Sequence, residues 1–257
     1  MNRIKNAFEN KKAFIGFVTA GDPTLDKTEE FVLEMERAGA ALVELGVPFS
    51  DPIAEGPVIQ EANLRALQAG CTTDKLFDMV ARLREKTQIP LAFLAYANTL
   101  YKYGYERFCE KCEQVGIDGV IIPDMPFEEK GELAPIAKAH DVSVISLIAP
   151  TSKERIQMIA KEADGFIYVV SSLGVTGVRD NITTDVESII RSIREVTDTP
   201  AAVGFGINRK EQVHEYTSIA DGAIVGSAIV KIVAEYGEDA GEKIYEYVAD
   251  MVSGLAE

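Results

Sequence analysis

Eight times along this chain a short apolar run, rich in Val, Ile, Leu and Phe, gives way to a stretch with helical spacing of its apolar residues. Runs of the first kind suit strands buried on both faces, and the second kind suits amphipathic helices. The alternation therefore predicts parallel βαβ units rather than hairpins. The runs cover residues 13–19, 41–47, 90–96, 119–124, 142–149, 166–171, 200–207 and 222–227. Eight units predict a closed barrel, with an open doubly wound sheet as the alternative that pattern alone leaves.

Helix-start chemistry supports this parsing. Thr151 with Glu154, Thr184 with Glu187 and Asn208 with Glu211 have or resemble capping-box spacing, while Pro23 and Pro126 suit first helical positions. Residues 3–10 predict a short helix before the first strand, closing the barrel bottom, and residues 243–252 an extra helix at the end. With no linker, low-complexity tract or composition break, residues 1–257 read as a single barrel domain. Most βα connections fit the usual span of about two to six residues. The segments after strand two (48–57) and strand six (172–184) are about twice that, and long loops on a barrel rim usually bind something.

Composition narrows the picture further. The 257 residues are 47% hydrophobic with a formal charge of −15, which argues against a nucleic-acid footprint. Any anionic ligand must then be held by local groups, backbone amides foremost, against the field of the whole chain. No segment approaches the roughly 18 uninterrupted apolar residues of a membrane span, nor does a signal-peptide core follow the basic start, so a cytoplasmic protein is expected. Cys109 and Cys112 form a lone CxxC in a charged helical pattern and read as two thiols on one helix face.

Catalytic side chains of such a barrel project from the C-terminal ends of its strands. None of the eight runs contains Lys, which argues against a Schiff-base aldolase, and none contains His, which argues against a catalytic zinc site. Carboxylates remain: Glu44 in strand two, Glu55 in the loop after it, and Asp124 ending strand four. Glu44 reads as a core acid with a partner or as an acid/base whose partial desolvation raises its proton affinity. Asp124, before Met125-Pro126, reads as a cap of the fourth helix or as a site acid. Gly204-Phe205-Gly206 and Gly226-Ser227 end strands seven and eight, where a helix N-terminus can cradle phosphate; the bland alternative is tight turns. Phe17, Tyr96, Tyr168 and Phe205 would line an apolar pocket between the acid and that cradle.

The segments GFVTAGDP (16–23), ELGVPFSDPIAEGPVIQ (44–60), YAN (96–98), SSLGVTG (171–177), GFGI (204–207) and GSAIVK (226–231) closely resemble the tryptophan synthase alpha subunit, in order and over nearly the whole chain. The resemblance implies an α/β fold, a (β/α)8 TIM barrel with a short N-terminal helix and an extra C-terminal helix. It implies retro-aldol cleavage of indole-3-glycerol phosphate to indole and glyceraldehyde 3-phosphate, without a cofactor or metal in this chain. Indole would pass to a beta subunit carrying pyridoxal phosphate in an alpha2beta2 complex. By the same resemblance Glu44 is the general acid/base and Glu55 stabilises the cationic indole. Gly177, Gly206, Gly226 and Ser227 hold phosphate, Phe17, Tyr168 and Phe205 surround indole and glycerol, and Thr176 belongs to the closing sixth loop. Asp51, Pro52 and Asn98 face the beta subunit.

One departure concerns Glu55, where that family usually has Asp. The extra methylene displaces the carboxylate by about 1.5 Å unless the loop moves, a misplacement of the size that can cost about a hundredfold. The sequence thus leaves open a coupled lyase, a stand-alone lyase releasing indole, a low-activity scaffold that activates a beta partner, and another phosphate-binding barrel enzyme.

Overall fold

The structure, a computed structural model, describes residues 3–171, 182–204 and 206–256, without the side chains of 182–185. Eight parallel strands close into one barrel in chain order: β1 Ala13–Thr19, β2 Leu42–Gly46, β3 Leu91–Leu94, β4 Gly119–Ile121, β5 Ser143–Ile148, β6 Ile167–Val170, β7 Ala201–Gly204 and β8 Gly222–Val225. Pairing of β1 with both β2 and β8 completes the ring. The open-sheet alternative is thereby excluded. The described helices are α1 Ile4–Ala7, α2 Leu25–Arg37, α3 Pro57–Gln68, α4 Thr73–Arg84, α5 Ala97–Tyr103 and α6 Tyr105–Val115, then α7 Ala134–Ala139, α8 Lys153–Lys161, α9 Ile182–Arg194, α10 Lys210–Thr217, α11 Ser227–Tyr236 and α12 Ala240–Val252. Among the described residues no helix is long and apolar enough to cross a membrane.

Strand alternation sorts side chains into two cores. Phe14, Val18, Val43, Leu45, Leu91 and Phe93 point outward and meet the helices, whereas Ile15, Leu42, Ala92, Ile121, Ile145 and Ile224 fill the barrel interior. The N-terminal helix expected over residues 3–10 forms only over Ile4–Ala7, and it seals the lower end, with Ile4 and Ala7 in the interior core. Beneath it the buried Asp118 carboxylate accepts from the backbone N–H of Arg3 and Leu91, each near 3 Å, and from the guanidinium groups of Arg3 and Arg84. The extra C-terminal helix is α12, three residues longer at its start than 243–252.

Helix starts fall close to their sequence signals but not on them. Ser152, not Thr151, caps α8, its hydroxyl accepting from Arg155 N–H at 3.3 Å. At α10 the cap position is Arg209, and Gln212 Oε1 reaches back to the N–H groups of Asn208 and Arg209. Thr184 falls inside α9, which starts at Ile182. Pro23 precedes the cap Thr24 of α2, and Pro126 precedes a 3-10 turn at Phe127–Glu132. Pro57 does occupy the first turn of α3, where its missing N–H costs nothing.

Candidate active site

Among the described residues Glu44 is the one residue of formal charge on any barrel strand, and its interior direction follows from Leu42, two residues earlier, being in the interior core. It is 1% exposed and its Oε1 has no hydrogen-bond partner. Burial without compensation favours the neutral form, so the carboxyl is pushed up to about 8 from its ordinary value. Such a group gives and takes a proton near neutral pH.

Its surroundings are built by close approaches. Phe17, paired in register with Glu44, lies so near Gly46 that a Cβ there would sit 2.7 Å from the ring tip. The same ring lies 3.4 Å from the Cβ position of Gly226, so the side chain bridges the ends of β2 and β8. Tyr168 on β6 leans over Gly204, where a Cβ would meet its ring at 2.7 Å. Burial first, and the negative charge of Glu44 second, keep the Tyr168 phenol protonated. Glycine at positions 46 and 204 is therefore what lets two aromatic rings fold over the barrel mouth.

The loop after β2 runs from Val47 to the α3 cap Gly56, as its length predicted, and it carries Glu55. Glu55 Oε2 accepts from Asn63 Nδ2 at 2.7 Å, and its backbone carbonyl accepts from Gln60 Nε2 at 2.8 Å. Partial burial raises the proton affinity of Glu55 and the Asn63 bond opposes that rise. Tyr96, buried and stacked on Phe49 with centroids 4.9 Å apart, accepts from Ala54 N–H at 3.1 Å. Asp22, in the loop after β1, holds α3 through a two-pronged pair with Arg65 at 2.8 and 2.9 Å.

Asp124 does not cap the helix that follows it: its Oδ1 accepts from Ala97 N–H at 2.9 Å, at the start of α5 in the preceding βα unit. Asn98 follows on the same helix and is exposed, as is Asp51 on the loop after β2, with Pro52 partly exposed beside it. Ile53, 81% exposed, and Tyr101, 73% exposed, add apolar surface to these same two elements.

Gly206 follows β7 in a left-handed conformation (φ +80°), Gly226 stands at the cap position of α11 and Ser227 opens that helix. The first amides of a helix have no intrahelical acceptor and point at whatever lies beyond its start. Neither α11's first turn nor Gly206 brings a basic side chain, so an anion here would be held by amides and a hydroxyl. Thr176, Gly177 and Phe205 lie outside the described residues.

A cavity of about 370 Å³ lies elsewhere, between the ends of β4 and β5 and α8, walled by Pro123, Phe127, Val144, Leu147 and Ile159. Its rim cations are already engaged, Arg155 with Glu128 and Lys130 with Glu162. Glu44 and Glu55 do not line it. Cys109 and Cys112 are free and buried in the outer core, which leaves them packing residues. Sequence reading missed Asn63 as a site residue; its signal was an amide on the otherwise small, buried face of α3 between Ala62 and Ala66.

Fold and rim together define a class: a (β/α)8 barrel that carries carboxyl groups and a helix N-terminus at the C-terminal ends of its strands, where barrel enzymes place their active sites. A family profile described as tryptophan synthase alpha chain matches residues 4–255, and this chain belongs to that family. It is similar to the tryptophan synthase alpha chain of Lactiplantibacillus plantarum, at 50% identity over 92% of this chain and 90% of that one. Among solved structures it is similar to the alpha chain of Legionella pneumophila, with a TM-score of 0.89, 32% identity and 99% and 97% of the two chains covered. It is also similar to a chain of the tryptophan synthase α2β2 complex of the hyperthermophile Pyrococcus furiosus, with a TM-score of 0.87, 34% identity and 95% and 99% covered.

Proposed function

We propose that this chain cleaves indole-3-glycerol phosphate by a retro-aldol reaction, with Glu44 as the proton donor and acceptor. The carrying observation is a carboxyl at the barrel mouth whose Oε1 has no partner and whose burial pushes it up to about 8. Protonated Glu44 gives its proton to indole C3, and the cation so formed is spread to the ring nitrogen. Loss of the proton from the adjacent glycerol hydroxyl then lets the carbon–carbon pair return to the ring, releasing indole and glyceraldehyde 3-phosphate. One proton is given and one is taken, so a single carboxyl of this kind can close the cycle.

Glu55 serves the other charge. Held by Asn63, its carboxylate stands ready to stabilise the ring nitrogen cation, an electrostatic role that needs the ionised form. Phe17, Tyr168 and Phe205 wall the indole and glycerol. Gly177, Gly206, Gly226 and Ser227 hold the phosphate by amides and one hydroxyl, and Thr176 completes the site from the sixth loop. Residues 1–257 act as one barrel domain in the cytoplasm.

Asp51, Pro52 and Asn98 form the face that meets a beta subunit in an α2β2 assembly, to which indole passes. Exposed Ile53 and Tyr101 on the same loop and helix support that face, since apolar surface of this kind is costly to leave in water. The chain needs no cofactor of its own; pyridoxal phosphate belongs to the beta subunit. Assaying glyceraldehyde 3-phosphate release with and without a matching beta subunit tests the reading. Release in both arms, faster with the partner, is expected, whereas no release in either arm while the partner is still stimulated means a scaffold.

A further inference from the structure

Among the described residues two buried side-chain polar atoms have no hydrogen-bond partner, Glu44 Oε1 and Thr19 Oγ1, and they belong to the adjacent strands β2 and β1. Thr19 ends β1 and pairs in register with Gly46, two positions beyond the Phe17–Glu44 pair. Ile15 belongs to the interior core and Val18 and Ala20 to the outer one, so Thr19, with the parity of Ile15 and Phe17, takes the interior side. It therefore stands one layer above Phe17 and Glu44, toward the mouth, and is 2% exposed.

Around the closed ring β1 lies between β8, which leads into Gly226 and Ser227, and β2, which carries Glu44. A buried hydroxyl with nothing to bond lowers stability, and valine would fill the same space without that cost. The fold by itself thus gives no reason for a hydroxyl at this position. A ligand running from the α11 N-terminus to Glu44 must pass β1, and the part of indole-3-glycerol phosphate between phosphate and indole carries hydroxyl groups.

We infer that Thr19 is a substrate-binding residue whose hydroxyl bonds a hydroxyl of the glycerol chain between the phosphate cradle and Glu44. The inference rests on the functional reading above and deepens it. The test compares wild type, Thr19→Val and Thr19→Ser, each with its beta subunit. It measures kcat/KM for indole-3-glycerol phosphate, Kd for indole-3-propyl phosphate, which lacks the chain hydroxyls, and Tm. For Thr19→Val the expected results are a loss of about tenfold in kcat/KM, a Kd within about twofold of wild type, and a Tm that holds or rises by about 2–4 °C. Thr19→Ser should keep most of the activity. Unchanged kcat/KM, an equal loss for both ligands, or a fall in Tm with Thr19→Val would overturn the role of Thr19. A wild type that releases no glyceraldehyde 3-phosphate would overturn the functional reading as well.

Discussion

Burial makes both Glu44 and Glu55 harder to ionise, and Glu55 alone of the two has a hydrogen-bond donor that works against that rise, the kind of difference that sets two carboxyls apart for separate tasks. Glu44 Oε1 has no donor, while Glu55 has Asn63 at 2.7 Å. The difference has a signature in stability. The unfolded Glu44 carboxyl ionises near 4.5 and the folded one near 8. Its contribution is fully present below the lower value. Between the two, the unfolded chain sheds a proton that the folded chain keeps, so stability falls as pH rises, and above about 8 the loss is complete. Glu44→Gln removes this dependence. Thermal scans should find the variant near wild type at pH 4.5 and ahead of it by roughly 5–10 °C at pH 8. For Asn63→Ala, the acid limb of the kcat profile should move upward, because the bond that favours ionised Glu55 is gone. An unmoved limb would separate Asn63 from Glu55's chemistry. Neither Asn63 nor Thr19 was legible as a site residue in the sequence. An amide on a helix looks ordinary until a loop path brings it to a carboxyl, and a threonine ending an apolar strand until barrel closure leaves its hydroxyl buried without a partner.

Elements were easier to read than their ends. The period of the apolar runs located all eight strands, since a parallel strand buried on both faces has no polar register to confuse it. Helix starts slipped by a residue or two because Thr151 and Ser152 are both good caps in sequence, and only the direction of the chain leaving β5 decides which hydroxyl reaches the first turn. Ser152→Ala should therefore cost about 1 kcal/mol of stability in denaturant melts, and Thr151→Ala nearly nothing. Asp124 teaches the same lesson across elements. It caps α5, not its own helix, because neighbouring βα loops lie side by side on the rim, a contact that no local spacing announces. The long loop after β2 stands out in the sequence by its length, but its anchorage by Tyr96 to Ala54 and by Gln60 and Asn63 to Glu55 belongs to three dimensions.

At the scale of the molecule, the two ends of the barrel have separate duties. The lower end is a stability device: α1 and the Asp118 carboxylate, with Arg3 and Arg84 beside it, hold the interior closed. Burial lowers the Arg84 guanidinium to about 10 even beside Asp118. Asp118→Ala leaves that cation without its partner and should cost about 3 kcal/mol, lowering Tm by about 6–12 °C, while kcat of the folded protein stays within about twofold. The upper end holds the proposed site, and against a net charge of −15 an anion at Gly206 and the first turn of α11, where no basic side chain stands, would be held by local amides rather than by the field. The central claim is that Glu44 moves the proton of the cleavage step, and steady-state release of glyceraldehyde 3-phosphate by the Glu44→Gln protein with its beta subunit tests it most directly. The account predicts a fall in kcat of at least about a thousandfold in a variant that is folded and still binds indole-3-propyl phosphate. Turnover within about tenfold of wild type would contradict it.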